Sequence, residues 1–294
     1  MVVEKVSWII KYFIFNIYMS RIIMYYQTFK GLDKLIQKNP IPITHLHVSS
    51  IHFGLNNYIP YIHLNDNDPD DKIFDNMWRQ TEILANKGVK IILMIGGAGG
   101  AYTELFTNFD KYYSLLKKTL KDRPWIAGVD LDIEEKVSLD NVCLLINTLD
   151  NDFGKDFIIS TAPIAEALEL NTPGLGGFIY KDLYNSPWGK RINYYNCQSY
   201  TEYSFDLYNS IIANDYDPSK IVFGMLDQSI KYEFPFILLT IKQIKDKYSK
   251  FGGVFIWEYF DAPPDENDPS QWAVEIYKIF NKSWIKNFLS YFRI

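Results

Sequence analysis

The chain has 294 residues, of which 48% are hydrophobic and 22% are charged, as is usual for a globular protein. The net charge of −5 argues against a nucleic-acid-binding protein, which needs a clustered basic surface. The two cysteines, Cys143 and Cys197, have neither the spacing of a metal site nor that of a disulfide framework.

The first twenty residues form an apolar but interrupted stretch. Lys11 and Asn16 break the run between Trp8 and Met19, which is too short and too polar for a stable membrane span. The stretch also lacks an evident small-x-small cleavage site, so there is no clear signal peptide. We interpret residues 1–20 as an N-terminal extension, either a helix or a weak signal segment. The compartment, secreted or cytoplasmic, stays open.

From residue 21 onward, short β-branched or aromatic runs alternate with longer amphipathic stretches. The runs predict eight strands, at residues 21–26, 45–51, 90–95, 126–133, 157–161, 193–200, 220–226 and 253–257. The amphipathic stretches predict helices at residues 71–86, 103–121, 138–149, 237–248 and 271–280. Such an alternation is typical of an α/β fold with a parallel sheet. We therefore expect one (β/α)8 TIM-barrel domain over residues 21–294.

The fourth predicted strand carries the clearest chemical signal. Asp130, Asp132 and Glu134 occupy every second position, so a strand would place all three on one face. Carboxylates this close have pKa values that are driven apart, and acid-catalysed bond cleavage needs one protonated and one ionised carboxyl. In a barrel, Glu134 would lie at the C-terminal end of its strand, where active sites form. A half-exposed strand with a solvated acidic face is the alternative interpretation.

Glycines and histidines cluster near the second and third predicted strands. Gly96 and Gly97 begin a glycine-rich turn that would let a substrate approach closely, whereas a phosphate-binding loop would need a following Lys-Ser or Lys-Thr. All four histidines lie between residues 45 and 63, and none is available from later strands. We therefore expect no metal site, and we interpret His45 and His47 as packed or hydrogen-bonded barrel residues.

Polar and aromatic residues end two later strands. Gln198 and Tyr200 alternate on the sixth predicted strand, and Trp257 ends the eighth. The pair could be a polar core layer, and the tryptophan could be part of the core. At the mouth of a barrel, the same residues could instead bind a sugar, with the indole ring beneath it.

Together these features resemble glycoside hydrolase family 18, and their pattern is closest to the plant and fungal class III chitinases. The family signature Asp-Gly-x-Asp-x-Asp-x-Glu reads Ala127-Gly-Val-Asp-Leu-Asp-Ile-Glu134 here, and Ser-x-Gly-Gly reads Met94-Ile-Gly-Gly97. Weaker similarities occur in the same order as in the family, at residues 22–27, 161–163, 198–200 and 257. Ala127 and Met94 replace an Asp and a Ser that are taken to support the acids from below.

The resemblance implies hydrolysis of β-1,4 bonds next to N-acetylglucosamine, in chitin or chito-oligosaccharides, by a substrate-assisted retaining mechanism. Glu134 would be the general acid and base, and Asp132 would hold the acetamido group of the substrate. Asp130 would share a proton with Asp132, and Tyr200 would hydrogen-bond the acetamido oxygen. The further substrate contacts implied are Gln198, Trp257, Gly96, Gly97 and Tyr26.

Two other functions stay open. One is an endo-β-N-acetylglucosaminidase that acts on N-glycans, and the other is a catalytically silent, lectin-like barrel that binds chitin. The retention of Glu134 favours an enzyme over a lectin. In each case the expected partner is a saccharide containing N-acetylglucosamine, bound by a monomer without cofactor or nucleic acid.

Overall fold

The structure is a computed structural model that describes residues 20–227 and 233–292. The predicted N-terminal extension lies outside the described residues, apart from Ser20. Within the described part of the chain, no helix combines the length and the apolar character that a membrane span requires.

Eight parallel strands close into a barrel, which confirms the predicted fold. In chain order the strands are β1 (Arg21–Tyr26), β2 (His45–Asn56), β3 (Ile59–Leu64), β4 (Lys90–Gly96), β5 (Ile126–Asp132), β6 (Ile158–Thr161), β7 (Tyr194–Gln198), β8 (Ile221–Leu226) and β9 (Gly253–Trp257). The barrel is closed because β1 pairs in parallel with both β2 and β9. β3 is not a barrel strand, since it pairs antiparallel with the distal half of β2.

Helices follow most barrel strands and cover the outside. They are α1 (Asp33–Ile36), α2 (Asp75–Asn86), α3 (Tyr102–Thr107), α4 (Phe109–Lys121), α5 (Leu139–Phe153), α6 (Ala165–Glu169), α7 (Tyr180–Asn185), α8 (Phe205–Ala213), α9 (Phe234–Lys247) and α10 (Ser270–Phe292). Ser138 caps α5, because its hydroxyl accepts a hydrogen bond from the Asn141 N–H. Pro235 lies in the first turn of α9, where a missing N–H costs nothing.

The helices α1, α6, α7 and α8 were not predicted from the sequence, and two further regions differ from the prediction. The single helix expected over residues 103–121 is broken at Asn108, whose φ of −151° and ψ of 71° are not helical. β2 continues past residue 51 and forms a hairpin with β3, which was not predicted. Asn57 and Tyr58 make the turn of this hairpin with positive φ values of 47° and 65°. Asn accepts that conformation readily, but a β-strand former such as Tyr gives no turn signal.

The barrel strands separate two apolar regions. The large outer core lies between strands and helices and includes the aliphatic residues of β5, Val129 and Leu131. The smaller inner cluster fills the barrel with Ile23, Tyr25, Met94, Tyr194, Val222 and Phe255. The opposite face of β5 therefore points into the barrel, and this is the face that carries the acids.

Candidate active site

The three acids of the fourth barrel strand lie at increasing height inside the barrel. Asp130 is fully buried, Asp132 is 5% exposed, and Glu134 is half-buried just beyond the end of β5. Ile133, which separates the last two acids, packs in the outer core. The alternation predicted from the sequence is therefore present, and it brings Glu134 to the barrel mouth.

Asp130 is held by donors from three other strands. Its Oδ2 atom accepts a hydrogen bond from the Tyr25 hydroxyl at 2.7 Å, and its Oδ1 atom accepts from the Ser160 hydroxyl at 2.6 Å and the Asn196 amide at 3.1 Å. The His47 Nδ1 atom lies 3.4 Å from Oδ2, at ion-pair distance but not aligned for a hydrogen bond. Burial acts to raise the pKa of Asp130, but His47, Ser160 and Tyr25 together hold it below its ordinary value.

Gln198 connects the two upper acids. Its Nε2 atom donates to Asp132 Oδ1 at 3.0 Å and to the Ala162 carbonyl oxygen at 2.8 Å, and it lies 3.4 Å from Glu134 Oε1. The pKa of Asp132 is raised well above its ordinary value, chiefly by burial and then by the negative charges of Glu134 and Asp130. Of these two buried acids, Asp132 therefore binds a proton more readily than Asp130.

Gly96 and Gly97 let the loop after β4 lie directly against the end of β5. Gly96 has a φ of +93°, and a Cβ atom there would lie 2.3 Å from the Asp132 carbonyl oxygen. The Gly97 N–H donates to that same oxygen at 2.9 Å. Gly96 therefore admits a neighbouring backbone, whereas a Cβ atom at Gly97 would lie 2.9 Å from the Met94 Cε atom and 3.5 Å from Asp132 Oδ2. That the two glycines also admit a substrate stays a prediction.

Glu135 is a functional candidate that the sequence analysis missed. Its Oε1 atom accepts hydrogen bonds from the Ala101 and Tyr102 N–H groups, and its Oε2 atom accepts from the Thr103 hydroxyl. Partial burial acts to raise the pKa of Glu135, but these donors hold it below its ordinary value. The side chain next to Glu134 therefore ties the glycine-rich loop to the acid strand. The only sequence signal was a second Glu after the motif.

Two aromatic residues accompany the acids at the barrel mouth. Tyr200 and Trp257 are half-buried and pack against the inner cluster. The Trp257 ring lies 5.4 Å from the Tyr25 ring, measured between centroids. The pKa of Tyr200 is raised well above its ordinary value by burial and by the charges of Asp132 and Glu134, so its hydroxyl stays protonated and able to donate. Both residues lie in the region that the sequence predicted for them.

Tyr26 must be removed from the candidate site and replaced by Tyr25. Tyr26 is fully buried in the outer core, where its hydroxyl accepts a hydrogen bond from the Gly31 N–H at 2.8 Å. Neighbouring strand residues face opposite sides, so Tyr25 takes the interior position and contacts Asp130. The first strand is buried on both faces, and hydrophobicity alone therefore gave no sign of which tyrosine points inward.

The two departures from the family signature have different surroundings. Met94 pairs in register with Asp130 and is buried in the inner cluster, where a serine would place a hydroxyl. Ala127 is the extra residue of a bulge at the start of β5, between the pairs Ile91–Ile126 and Ile92–Gly128. The side chains that hydrogen-bond to Asp130 in this chain lie at other positions, on β1, β6 and β7.

His45 and His47 are buried, and each lies at hydrogen-bonding distance from a hydroxyl group, as expected from the sequence. His45 Nδ1 lies 2.8 Å from the Thr44 hydroxyl, and His47 Nε2 lies 3.2 Å from the Tyr194 hydroxyl. Across residues 20–227 and 233–292, no group of three or more His, Cys, Asp or Glu side chains is arranged to hold a metal ion.

Comparisons with known proteins give one curated relative and several solved structures, while no family model matches. The curated relative is Chitinase 2 of Rhizopus oligosporus, 28% identical over 201 residues that cover 60% of this chain and 35% of that protein. The chain therefore spans about a third of the length of this relative.

Two fungal structures are more similar. A fungal endo-β-N-acetylglucosaminidase from glycosyl hydrolase family 18 has a TM-score of 0.76 and 32% identity, covering 88% of this chain and 97% of that chain. The chitinase ChiC from Aspergillus fumigatus also has a TM-score of 0.76 and 32% identity, covering 87% of this chain and 98% of that chain.

Proposed function

This chain belongs to glycoside hydrolase family 18, and from this premise we propose that it hydrolyses β-1,4 bonds next to N-acetylglucosamine in chitin or chito-oligosaccharides. One observation carries the proposal: Asp130, Asp132 and Glu134 share the inner face of β5, and Gln198 connects the upper two. The names of the Rhizopus and Aspergillus relatives, both chitinases, support chitin as the substrate class.

Glu134 is the proton donor in this proposal. It is half-buried at the mouth, where a glycosidic oxygen can reach it, whereas Asp130 is enclosed. Glu134 protonates the leaving oxygen as the bond to the anomeric carbon breaks. It later takes a proton from the attacking water, which restores its starting state.

The attacking group in the first step is the acetamido oxygen of the substrate. It forms a bond to the anomeric carbon and produces an oxazolinium ion, which water opens in the second step. A carboxylate of the protein would be the alternative attacking group. Two other buried carboxylates follow β8 and β9, but both accept hydrogen bonds from backbone N–H groups. Glu258 accepts hydrogen bonds from the Gln27 and Thr28 N–H groups, and Asp227 accepts one from the Glu258 N–H at 3.3 Å.

Asp132 and Tyr200 orient the acetamido group. Asp132 accepts its N–H and, when the proton shared with Asp130 lies on Asp130, offsets the positive charge that develops on it. The protonated Tyr200 hydroxyl donates to the acetamido oxygen. Asp130, ionised below, repels a second charge on Asp132 and favours sharing of a proton between the two. Trp257 supplies an apolar surface under the sugar, and Gln198 keeps the two upper acids in place.

Replacing Glu134 by Gln tests the proposal directly. The amide has nearly the same shape but cannot donate the proton, so release of products from chito-oligosaccharides should fall by about 100-fold or more. Glu82→Gln, at an exposed position on α2, is the matched control and should leave the rate unchanged. Undiminished turnover in the Glu134 variant would remove this residue from its role.

An endo-β-N-acetylglucosaminidase is the second candidate, because one of the two fungal structures carries that name. The chemistry is the same, and only the shape of the groove differs. Parallel assays on a chitin hexamer and a high-mannose glycopeptide separate the two activities. A protein that binds the hexamer tightly but cleaves neither substrate would instead be a lectin.

We also propose that residues 21–294 act as one domain and that the protein is a monomer. Size-exclusion chromatography tests the monomeric state.

A further inference from the structure

The hairpin formed by β2 and β3 rises from the same end of the barrel as the acids. β2 runs parallel to β5, and its last pair with β4 joins Ile51 and Ile95. Beyond that point it continues to Asn56 and pairs only with β3. The hairpin therefore stands above the barrel mouth, beside the glycine-rich loop.

One face of this hairpin is anchored and the other is open. Phe53 and Ile62 are buried in the outer core, and the Tyr112 hydroxyl of α4 donates to the Gly54 carbonyl oxygen at 3.1 Å. On the opposite face, Ile59 and Tyr61 are exposed. The anchored face keeps the strands in place, so the open face is a preformed surface.

Gly54 allows the ring of Tyr61 to lie flat on the open face. The two residues are direct partners across the strands, and a Cβ atom at Gly54 would lie 2.4 Å from the Tyr61 Cζ atom. Any other residue at position 54 would push the ring away from the sheet. The ring instead presents a flat surface that is 43% exposed. A groove of about 260 Å³ runs beside it, lined by Asn56, Asn57, Ile59 and Tyr61.

A row of rings connects this surface to the candidate active site. The Tyr61 and His63 centroids are 5.4 Å apart, and those of His63 and His52 are 5.3 Å apart. His52 Nδ1 then donates to the Gly100 carbonyl oxygen at 2.5 Å. Gly100 lies against Glu135, since a Cβ atom there would be 3.1 Å from its Oε1 atom. The open face is thus continuous with the loop next to Glu134.

We propose that the open face of the hairpin, formed by Asn56, Ile59, Tyr61 and His63 over Gly54, binds the distal sugars of a β-1,4-linked N-acetylglucosamine chain whose other end lies at the acids. The inference rests on the proposed function. The apolar C–H face of a pyranose ring packs on an aromatic face, whose negative π-system attracts those groups. The Asn56 and Asn57 amides can exchange hydrogen bonds with hydroxyl and acetamido groups.

The charge of the surface agrees with a neutral polymer. Residues 53–62 contain no Asp, Glu, Lys or Arg, although 22% of the chain is charged. A nucleic acid would need basic residues here. A charged peptide would need the opposite charge, which the hairpin does not offer.

Binding to oligosaccharides of different length tests the proposal. In the Glu134→Gln background, which prevents turnover, Tyr61→Ala should weaken binding of a chitin hexamer and of insoluble chitin by about tenfold, a difference of 1.4 kcal/mol. Binding of a disaccharide should not change, because it reaches only the acids. Tyr61→Phe, which keeps the ring, should bind like the parent. Leu144→Ala, also at a position 43% exposed but in the middle of α5, is the matched control.

The contrary outcomes are distinct. Equal binding of the hexamer by Tyr61→Ala and its parent would overturn the proposal, as would an equal loss for disaccharide and hexamer, which would show a general structural effect. A dimer that dissociates in Tyr61→Ala would assign the face to a second copy of the chain and overturn it too. Turnover of short oligosaccharides by the wild type is measured separately. Its absence would refute the proposed function, whereas its presence with length-independent binding refutes the hairpin surface alone.

Discussion

Replacing Tyr25 by Phe tests whether donors inside the barrel keep Asp130 ionised. The change removes the hydrogen bond from the Tyr25 hydroxyl to Asp130 Oδ2 and the one that the hydroxyl accepts from the Asn196 amide at 2.9 Å. A hydrogen bond to a charged group contributes about 1.5–3 kcal/mol and a neutral one about 0.5–1.5 kcal/mol. The ring stays in place, so the free energy of unfolding at neutral pH should fall by about 2–4.5 kcal/mol.

The same change has a pH signature. Loss of a donor should raise the pKa of Asp130 towards its ordinary value of 3.8. A carboxylate whose folded-state pKa is depressed contributes stability that is present above its unfolded-state pKa and lost as the pH falls through the folded-state pKa. The difference in stability between wild type and variant should therefore shrink below about pH 4.

Tyr26→Phe is the matched control for Tyr25→Phe. It also deletes a buried hydroxyl from β1, but on the outer face, where the lost bond comes from the Gly31 N–H. Denaturant unfolding at several pH values and hydrolysis of chito-oligosaccharides are measured for both variants. Both should lose stability, but only the Tyr25 variant should lose activity. A Tyr25 variant within about 0.5 kcal/mol of wild type, with unchanged turnover, would refute the reasoning.

Three further predictions concern the acids and their loop. Glu135→Ala should reduce the rate of hydrolysis and speed hydrogen exchange at the loop N–H groups that Glu135 binds. Glu135→Gln should have smaller effects on both measurements, because its amide oxygen still accepts hydrogen bonds. Equal effects of the two variants would contradict this prediction. Gly96→Ala should destabilise the protein far more than Gly88→Ala. The two glycines have almost the same φ, +93° and +94°, but only a Cβ atom at Gly96 would meet a neighbouring atom, the Asp132 carbonyl oxygen. Similar melting temperatures of the two variants would contradict this prediction. Asp132→Asn should abolish most activity yet stabilise the protein at neutral pH. Because the folded-state pKa of Asp132 is raised, the wild type loses stability as the pH rises from 3.8 through that pKa, and an Asn side chain, which does not ionise, avoids this loss. An Asn variant that is less stable than the wild type at neutral pH would contradict the prediction.

The repeating pattern of the sequence was sufficient to predict the barrel. Each of the eight predicted strands is a barrel strand, because β-branched and aromatic runs separated by amphipathic stretches leave few other arrangements. The acids were predictable for a related reason. Asp130, Asp132 and Glu134 differ from their aliphatic neighbours, so the period of two is visible in the letters.

Residues whose importance depends on long-range contacts were not predictable. Ser160 and Asn196 lie 30 and 66 positions from Asp130 along the chain, and only closure of the barrel makes them its donors. Tyr25 and Tyr26 are both apolar enough for either face. The hairpin was missed because its turn uses Tyr58 with a positive φ, which no local preference indicates.

The donors of Asp130 bear on the altered family signature. In the family, support from below is attributed to the residues that Ala127 and Met94 replace. In this chain the Asp130 carboxylate receives hydrogen bonds from Tyr25, Ser160 and Asn196, which lie on β1, β6 and β7. A buried carboxylate is costly mainly when its oxygens lack partners, and here His47 acts together with the Ser160 and Tyr25 hydroxyls to hold the pKa of Asp130 below its ordinary value without a serine on β4. An Asp130 with a lowered pKa below an Asp132 with a raised pKa is therefore present in this chain despite the two substitutions, and the proposed chemistry at Glu134 uses this pair.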